Sequence, residues 1–195
     1  MKILAFAGSN SSTSINKRFV SSVAKYYKEP DDTIEIVDLN DFEAPLFSVD
    51  REKQNGIPTL IREFAKKIDN ADFLLISLAE NNGNYTVAYK NIIDWLSRIK
   101  GRKVFNNKPI FLLATSNGRR GAQTVLDIAT ARIPFDGGVI LETFSLPSFH
   151  ENFAEGKGVI TIQYRSQLEA KVRKTKRMLQ IKLDEEGHNN ENKHI

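Results

Sequence analysis

The sequence contains no cysteine, which excludes disulfides, thiolate metal sites and a cysteine nucleophile. Histidine is scarce too, with His188 and His194 both near the C-terminus, so a clustered zinc site is not expected. No run approaches the roughly 20 apolar residues that a membrane span needs. The first apolar stretch, Ile3 to Ala7, is too short for a secretory h-region, and no small-residue cleavage site follows it. A soluble, cytoplasmic protein is therefore expected. Glycine is missing where common phosphate motifs require it. After that stretch there is only Gly8, so neither the P-loop nor the three-glycine dinucleotide fingerprint is present. The same segment lacks the carboxylates of a response-regulator receiver. A hydrolase using Ser9 would need a Gly-x-Ser-x-Gly elbow and an Asp-x-x-His pair, and neither occurs.

What the 195 residues do contain is an ordinary globular balance, 41% hydrophobic and 27% charged, enough for one domain with a substantial core. The formal charge of +4 suits an anionic ligand without calling for a nucleic acid. The basic run Lys171, Arg173, Lys174, Lys176 and Arg177 has no interleaved aromatics and reads as the solvated face of a helix.

Apolar runs and amphipathic stretches alternate along the chain. Strands are expected at Ile3 to Ala7, Thr33 to Asp38, Phe73 to Leu78, Lys108 to Ala114 and Val139 to Phe144. The first helix carries Phe19, Val23 and Tyr26 on one stripe. The second opens at Pro58 and turns Ile61, Phe64, Ala65 and Ile68 inward. Three more helices are expected: Thr86 to Lys100 (core side Ala88, Ile92, Trp95, Ile99), Gly121 to Ile133, and Ile162 to about Leu183. Leu39 to Gly56, interrupted by Pro45, reads as a long loop. Residues 1–185 form the expected domain, and 186–195 a polar tail with little to bury. Strict alternation implies an α/β three-layer sandwich: a parallel sheet with helices on both faces. Ligands in such sheets bind beyond the carboxyl ends of the strands, where strand order reverses.

Three loops lie there. The first, Gly8 to Asn16, crowds hydroxyl and amide residues against a helix start, with Ser9, Ser11, Ser14, Ile15 and Asn16 as candidate contacts. Free N–H groups and the partial positive charge at a helix N-terminus favour a phosphate. One cap residue would satisfy the helix, and seven such side chains exceed that need. The second loop, Ala79, Glu80, Asn81, Asn82 and Gly83, can present backbone groups to a planar ring. The third, Thr115, Ser116, Asn117, Gly118 and Arg119, precedes another helix and adds cations at Arg119 and Arg120.

These loops resemble the NAD(P)H-dependent FMN reductase family, which includes flavodoxin-like quinone and azo reductases. Gly8, Ser9, Ser14 and Asn16 match its Gly-Ser-x-Arg-x-x-Ser-x-Asn motif. Glu80, Asn82 and Gly83, then Lys90, Asn91, Asp94 and Trp95, match its Pro-Glu-Tyr-Asn-Gly and Leu-Lys-Asn-x-x-Asp-Trp motifs. Ser11 stands where the family usually has Arg, Ala79 replaces the Pro, and Asn81 replaces the Tyr. The resemblance implies a flavodoxin-like sheet of strand order 2-1-3-4-5 with bound FMN. It also implies hydride transfer from NADPH or NADH to a flavin, quinone or azo acceptor, and a homodimer. Arg119 would stabilise charge near N1 of the reduced ring, Arg120 would meet the NADPH 2′-phosphate, and no other catalytic side chain is needed. A flavin-binding electron carrier or sensor without nicotinamide turnover is the alternative. Trp95 and His150 are expected to be a core residue and a surface loop residue.

Overall fold

In the computed structural model, which describes residues 1–191, five parallel strands form one sheet. They are β1 (Lys2–Gly8), β2 (Thr33–Val37), β3 (Phe73–Leu78), β6 (Pro109–Thr115) and β7 (Val139–Leu146), in the order β2-β1-β3-β6-β7. This is the expected 2-1-3-4-5 order, one short hairpin between β3 and β6 adding the intervening strand numbers. β3 and β6 are buried at every position, as central strands covered on both faces must be. The helices α1 (Ile15–Ala24) and α7 (Ile162–Glu191) cover one face, packing Phe19, Val23, Leu168 and Val172 against Ile3, Leu75 and Phe111. The other face takes α3 (Thr59–Asn70), α4 (Val87–Leu96) and α5 (Gln123–Arg132), with Phe64, Trp95 and Leu126 against Leu74, Ile76 and Leu112.

Several expectations are corrected. Past Ala24 the first helix tightens into a 3-10 turn, Lys25–Tyr27. That rotates the stripe, so Tyr27 rather than Tyr26 is fully buried, its hydroxyl bonded to that of Thr175. The segment 39–56 is not a plain loop. It holds a 3-10 turn, Leu39–Phe42, and α2 (Val49–Asn55), which buries no residue and so leaves no apolar period to read. In α4 the buried set is Tyr89, Ile92, Trp95 and Leu96, since Tyr89 packs beside Gly8, where no side chain competes. Two further elements were not expected: α6 (Phe149–Asn152) and a hairpin of β8 (Phe153–Ala154) with β9 (Gly158–Val159). The last helix reaches Glu191, so 187–191, expected to lack structure, are helical, while 192–195 lie outside the described residues. Each residue added to a formed helix gains a hydrogen bond without a new nucleation cost, and the preceding acidic residues are adequate helix formers.

The basic run on α7 is largely matched. Lys171 and Lys174 both reach Glu142 on β7, at 2.7 and 2.5 Å, and Lys176 meets Glu29 at 2.7 Å. Burial pushes the Glu142 carboxyl up, but hydrogen bonds from the two ammonium groups outweigh it and hold it below the usual range. A lowered folded-state pKa adds stability that is present above the ordinary carboxylate value and lost as pH falls through the depressed one. Glu142→Gln is expected to cost about 1 kcal/mol at neutral pH. Urea titrations across pH should show that difference closing as the solution passes below the carboxylate range.

Candidate functional site

The ends of β3 and β6 are joined by one side chain. Asn16, in the first turn of α1, is buried at the topological switch point. Its Oδ1 accepts from the Ser77 hydroxyl at 2.7 Å and from the Thr115 N–H at 3.1 Å, while its Nδ2 donates to the Thr115 carbonyl at 3.1 Å. The Thr115 hydroxyl in turn donates to Leu146 O at 2.7 Å. Asn16 and Thr115, both candidate ligand contacts, therefore spend these groups on locking the first and third loops together.

The rest of the first loop is free to meet an anion. Ser14 caps α1, its hydroxyl accepting from Lys17 N at 3.2 Å. Ser9 and Ser11 hydroxyls accept from Ser11 N and Thr13 N, which curls the loop over the helix start. Among the described residues, no hydrogen bond takes the backbone N–H of Ser12, Ile15 or Asn16. These donors sit at the positive end of α1, and the loop has no carboxylate of its own. Nearby, Lys17 is matched by Asp38 at 2.5 Å. Asp38 is lowered despite burial because Lys17 and Asn40 bond it. Such a donor set fits a phosphate monoester, and so fits the phosphate end of FMN, without the arginine that Ser11 replaces.

The second loop is a hairpin rather than a flexible turn. β4 (Glu80–Asn81) pairs with β5 (Asn84–Tyr85) across Asn82 and Gly83, whose φ values are 50° and 75°. Two successive left-handed residues make a type I′ turn, for which Asn-Gly is the preferred pair. Glu80 does not face the loop's mouth. Its Oε2 accepts from Val125 N at 2.9 Å and so caps α5, whose own cap residue, Ala122, sits at φ 62° without a side-chain bond. Glu80→Ala is expected to cost about 1 kcal/mol, the usual loss of a helix cap. Chemical denaturation should show it, with Glu80→Gln retaining most of the stability.

Thr86, which the sequence reading placed only at a helix start, ties the first two loops: its hydroxyl donates to Gly8 O at 2.9 Å and accepts from Tyr89 N. A cavity of about 300 Å³ opens beside them, lined by Asn10, Asn81 and Thr86 and by the apolar Phe42, Leu46 and Val87. The Lys-Asn-x-x-Asp-Trp stretch shapes its outer wall. Asn91 accepts from Phe47 N at 2.8 Å and donates to Ala44 O at 3.0 Å, and Trp95 Nε1 donates to Pro45 O at 2.7 Å. Trp95 is buried, as expected, and Lys90 pairs with Asp94 along the helix. Tyr85 lies against Tyr89, and burial lifts its hydroxyl to about 12.

The third loop is braced from behind: Ser148 N donates to Gly118 O and Phe149 N to Ser116 O, both at 3.0 Å. Ser116 Oγ lies 3.4 Å from Gly118 O, while Asn117, Gly118 and Arg119 are exposed. Arg120, in the turn before α5, donates to the Thr124 hydroxyl in that helix's first turn at 2.9 Å. His150 is exposed on α6. Gly121 must be glycine, because a Cβ there would lie 2.3 Å from Ser145 Oγ at φ 60°. Of the candidate contacts in the second loop, Asn81 lines the cavity beside Asn10 of the first loop, and none of those in the third loop does.

Known proteins resemble the chain in sequence and in fold. A 2-hydroxy-1,4-benzoquinone reductase of Burkholderia sp is 33% identical over 62% of this chain and 63% of its own. An NADPH:quinone oxidoreductase of Arabidopsis thaliana is 29% identical over 64% of this chain and 62% of its own. The chain thus spans somewhat under two thirds of the length of these relatives. Among solved structures, the flavoenzyme NAD(P)H:(acceptor) oxidoreductase of Paracoccus denitrificans superposes with a TM-score of 0.71 at 22% identity, covering 88% of this chain and 93% of that one. That likeness is one of fold. The model of the NADPH-dependent FMN reductases matches residues 1–151, and the chain belongs to that family.

Proposed function

We propose that the chain is an FMN-dependent NAD(P)H oxidoreductase that delivers electrons to a small flavin, quinone or azo acceptor. The free N–H groups of Ser12, Ile15 and Asn16 at the start of α1 carry this reading, with the hydroxyls of Ser9, Ser11 and Ser14 around them. They would hold the FMN phosphate. The hairpin Glu80–Tyr85 and the loop Thr115–Arg119 would border the ring, with Arg119, exposed and without a described partner, placed to answer negative charge. Bound FMN supplies the two-electron chemistry between a nicotinamide and the acceptor. The protein's share is to orient both and to exclude a competing partner from the same face. Arg120 would favour NADPH over NADH.

The exposed Leu46 (61%) and Val87 (72%), which line the same cavity, support a homodimer across this face. No described helix is long and apolar enough to cross a membrane, and a cytoplasmic location is part of the proposal. Anaerobic mixing of the FMN-loaded protein with each nicotinamide tests it. Bleaching of the flavin band faster with NADPH than with NADH, the preference falling in Arg120→Ala, is the expected result. A flavin that stays oxidised would leave an electron carrier or sensor instead.

A further inference from the structure

The first turn of α1 carries two cations, Lys17 and Arg18, and both are matched by carboxylates. Arg18 is committed elsewhere: its Nε donates to Glu155 at 2.9 Å, and its guanidinium lies over the Phe149 and Phe153 rings, 5.2 and 5.7 Å from their centroids. Lys17 is the cation nearer the phosphate loop. It is the third residue after the Ser14 cap. Helical side chains lean toward the start of their helix, here toward the free N–H groups of Ser12, Ile15 and Asn16. Lys17 also lines a surface groove together with Ser12, Thr13 and Ser14.

Asp38, one residue past the end of β2, holds that charge. Its Oδ2 accepts from Lys17 Nζ at 2.5 Å, and its Oδ1 accepts from Asn40 N at 2.9 Å and Asn40 Nδ2 at 2.8 Å. Asn40 fixes the carboxylate, and it lines the same cavity as Asn10 of the first loop. The ion pair thus adjoins that loop at Asn10 and again at Ser12–Ser14. Neither partner is sealed in the core: the Lys17 side chain is 41% exposed and that of Asp38 22%, so the ammonium can swing to a phosphate once released. A phosphate monoester carries close to two negative charges at neutral pH, which a free ammonium would attract and a free carboxylate repel. Paired, the two cancel. We propose that Asp38 limits how tightly the flavin is held: by keeping the Lys17 ammonium it leaves the FMN phosphate to the neutral donors of α1, and FMN stays exchangeable. The proposal rests on the FMN reading of the first loop. Asp38 acts through Lys17 as a positioning residue and does not itself meet the phosphate.

Titration of the flavin-stripped protein with FMN and with riboflavin tests this in the parent, Asp38→Asn, Lys17→Met and the double variant. Asparagine keeps an oxygen for Asn40 and loses only the charge. Asp38→Asn should tighten FMN about fivefold to tenfold, the scale of one partly exposed charged contact, and leave riboflavin unmoved. Added salt should shrink the gain. Lys17→Met, which leaves Asp38 unopposed, should weaken FMN about threefold, and the double variant should return to the parent value. On desalting, the parent should lose FMN and Asp38→Asn should retain more of it. A purely structural role for the pair would move both flavins alike and would not tighten either. If Asp38→Asn leaves the FMN Kd unchanged or raises it, if the double variant keeps the gain, or if the parent retains FMN in full, the inference falls and the FMN reading stands. Should Asp38→Asn fail to fold, Lys17→Met decides, an unchanged FMN Kd overturning the inference. If the parent binds FMN no better than riboflavin, the FMN reading falls and the inference with it.

Discussion

Asn16→Ala is expected to lower the stability of the apoprotein by about 3 kcal/mol, or roughly 6–12 °C in Tm for a chain of this size. The substitution removes three hydrogen bonds in a buried setting and strands the Ser77 hydroxyl with both main-chain groups of Thr115. Unpaired buried groups of this kind cost more than the bonds themselves contributed, because no water replaces the lost partner. Asn16→Asp keeps the shape and both acceptor bonds, but faces the Thr115 carbonyl with a carboxylate. It should rescue little at neutral pH and more in acid, where a protonated carboxyl regains a donor. Differential scanning calorimetry at two pH values reads both. A loss below about 1 kcal/mol would show that the ends of β3 and β6 are held by packing alone.

The second large effect is on ligand affinity, with a smaller stability loss because Ile15 packs partly on the core. Ile15→Pro deletes a single N–H from the first position of α1. Proline is welcome there, since that N–H has no intrahelical partner, and the preceding Ser14 already has ψ 116°, which proline tolerates. A charge-assisted hydrogen bond to phosphate contributes about 1.5–3 kcal/mol, so the FMN Kd should rise roughly tenfold to a hundredfold. Riboflavin, which lacks the phosphate, should bind the variant and the parent alike. An unchanged FMN Kd would place the phosphate elsewhere.

How far the sequence carried the account depends on the range of each interaction. β3 falls at Phe73–Leu78, and α3 buries Ile61, Phe64, Ala65 and Ile68, both as the local apolar pattern implies. Strand order came from the family resemblance; alternation alone implied only a parallel sheet with helices on both faces. Tyr26 and Ala88 were expected where Tyr27 and Tyr89 are buried, because a 3-10 turn shifts the end of the first stripe and the space beside Gly8 takes the Tyr89 ring, neither of which periodicity records. The Asn82-Gly83 pair carries the local signature of a hairpin, but the segment was read only as a ligand-facing loop. What Glu80 and Asn16 do was not legible. Glu80 caps a helix 45 residues away and Asn16 bonds a strand 99 residues away, so side-chain type alone leaves them looking like ligand contacts. The motif through Asn91 and Trp95 was recognisable from the family resemblance, but its physical role, pinning the 44–47 segment, emerges only from the folded loop.

A competitive titration of the stripped protein with FMN and riboflavin addresses the account at its root. If α1 grips a phosphate with its open amides, FMN should bind at least about a hundredfold more tightly, and inorganic phosphate should erode that margin. Equal affinities, unmoved by phosphate, would contradict it.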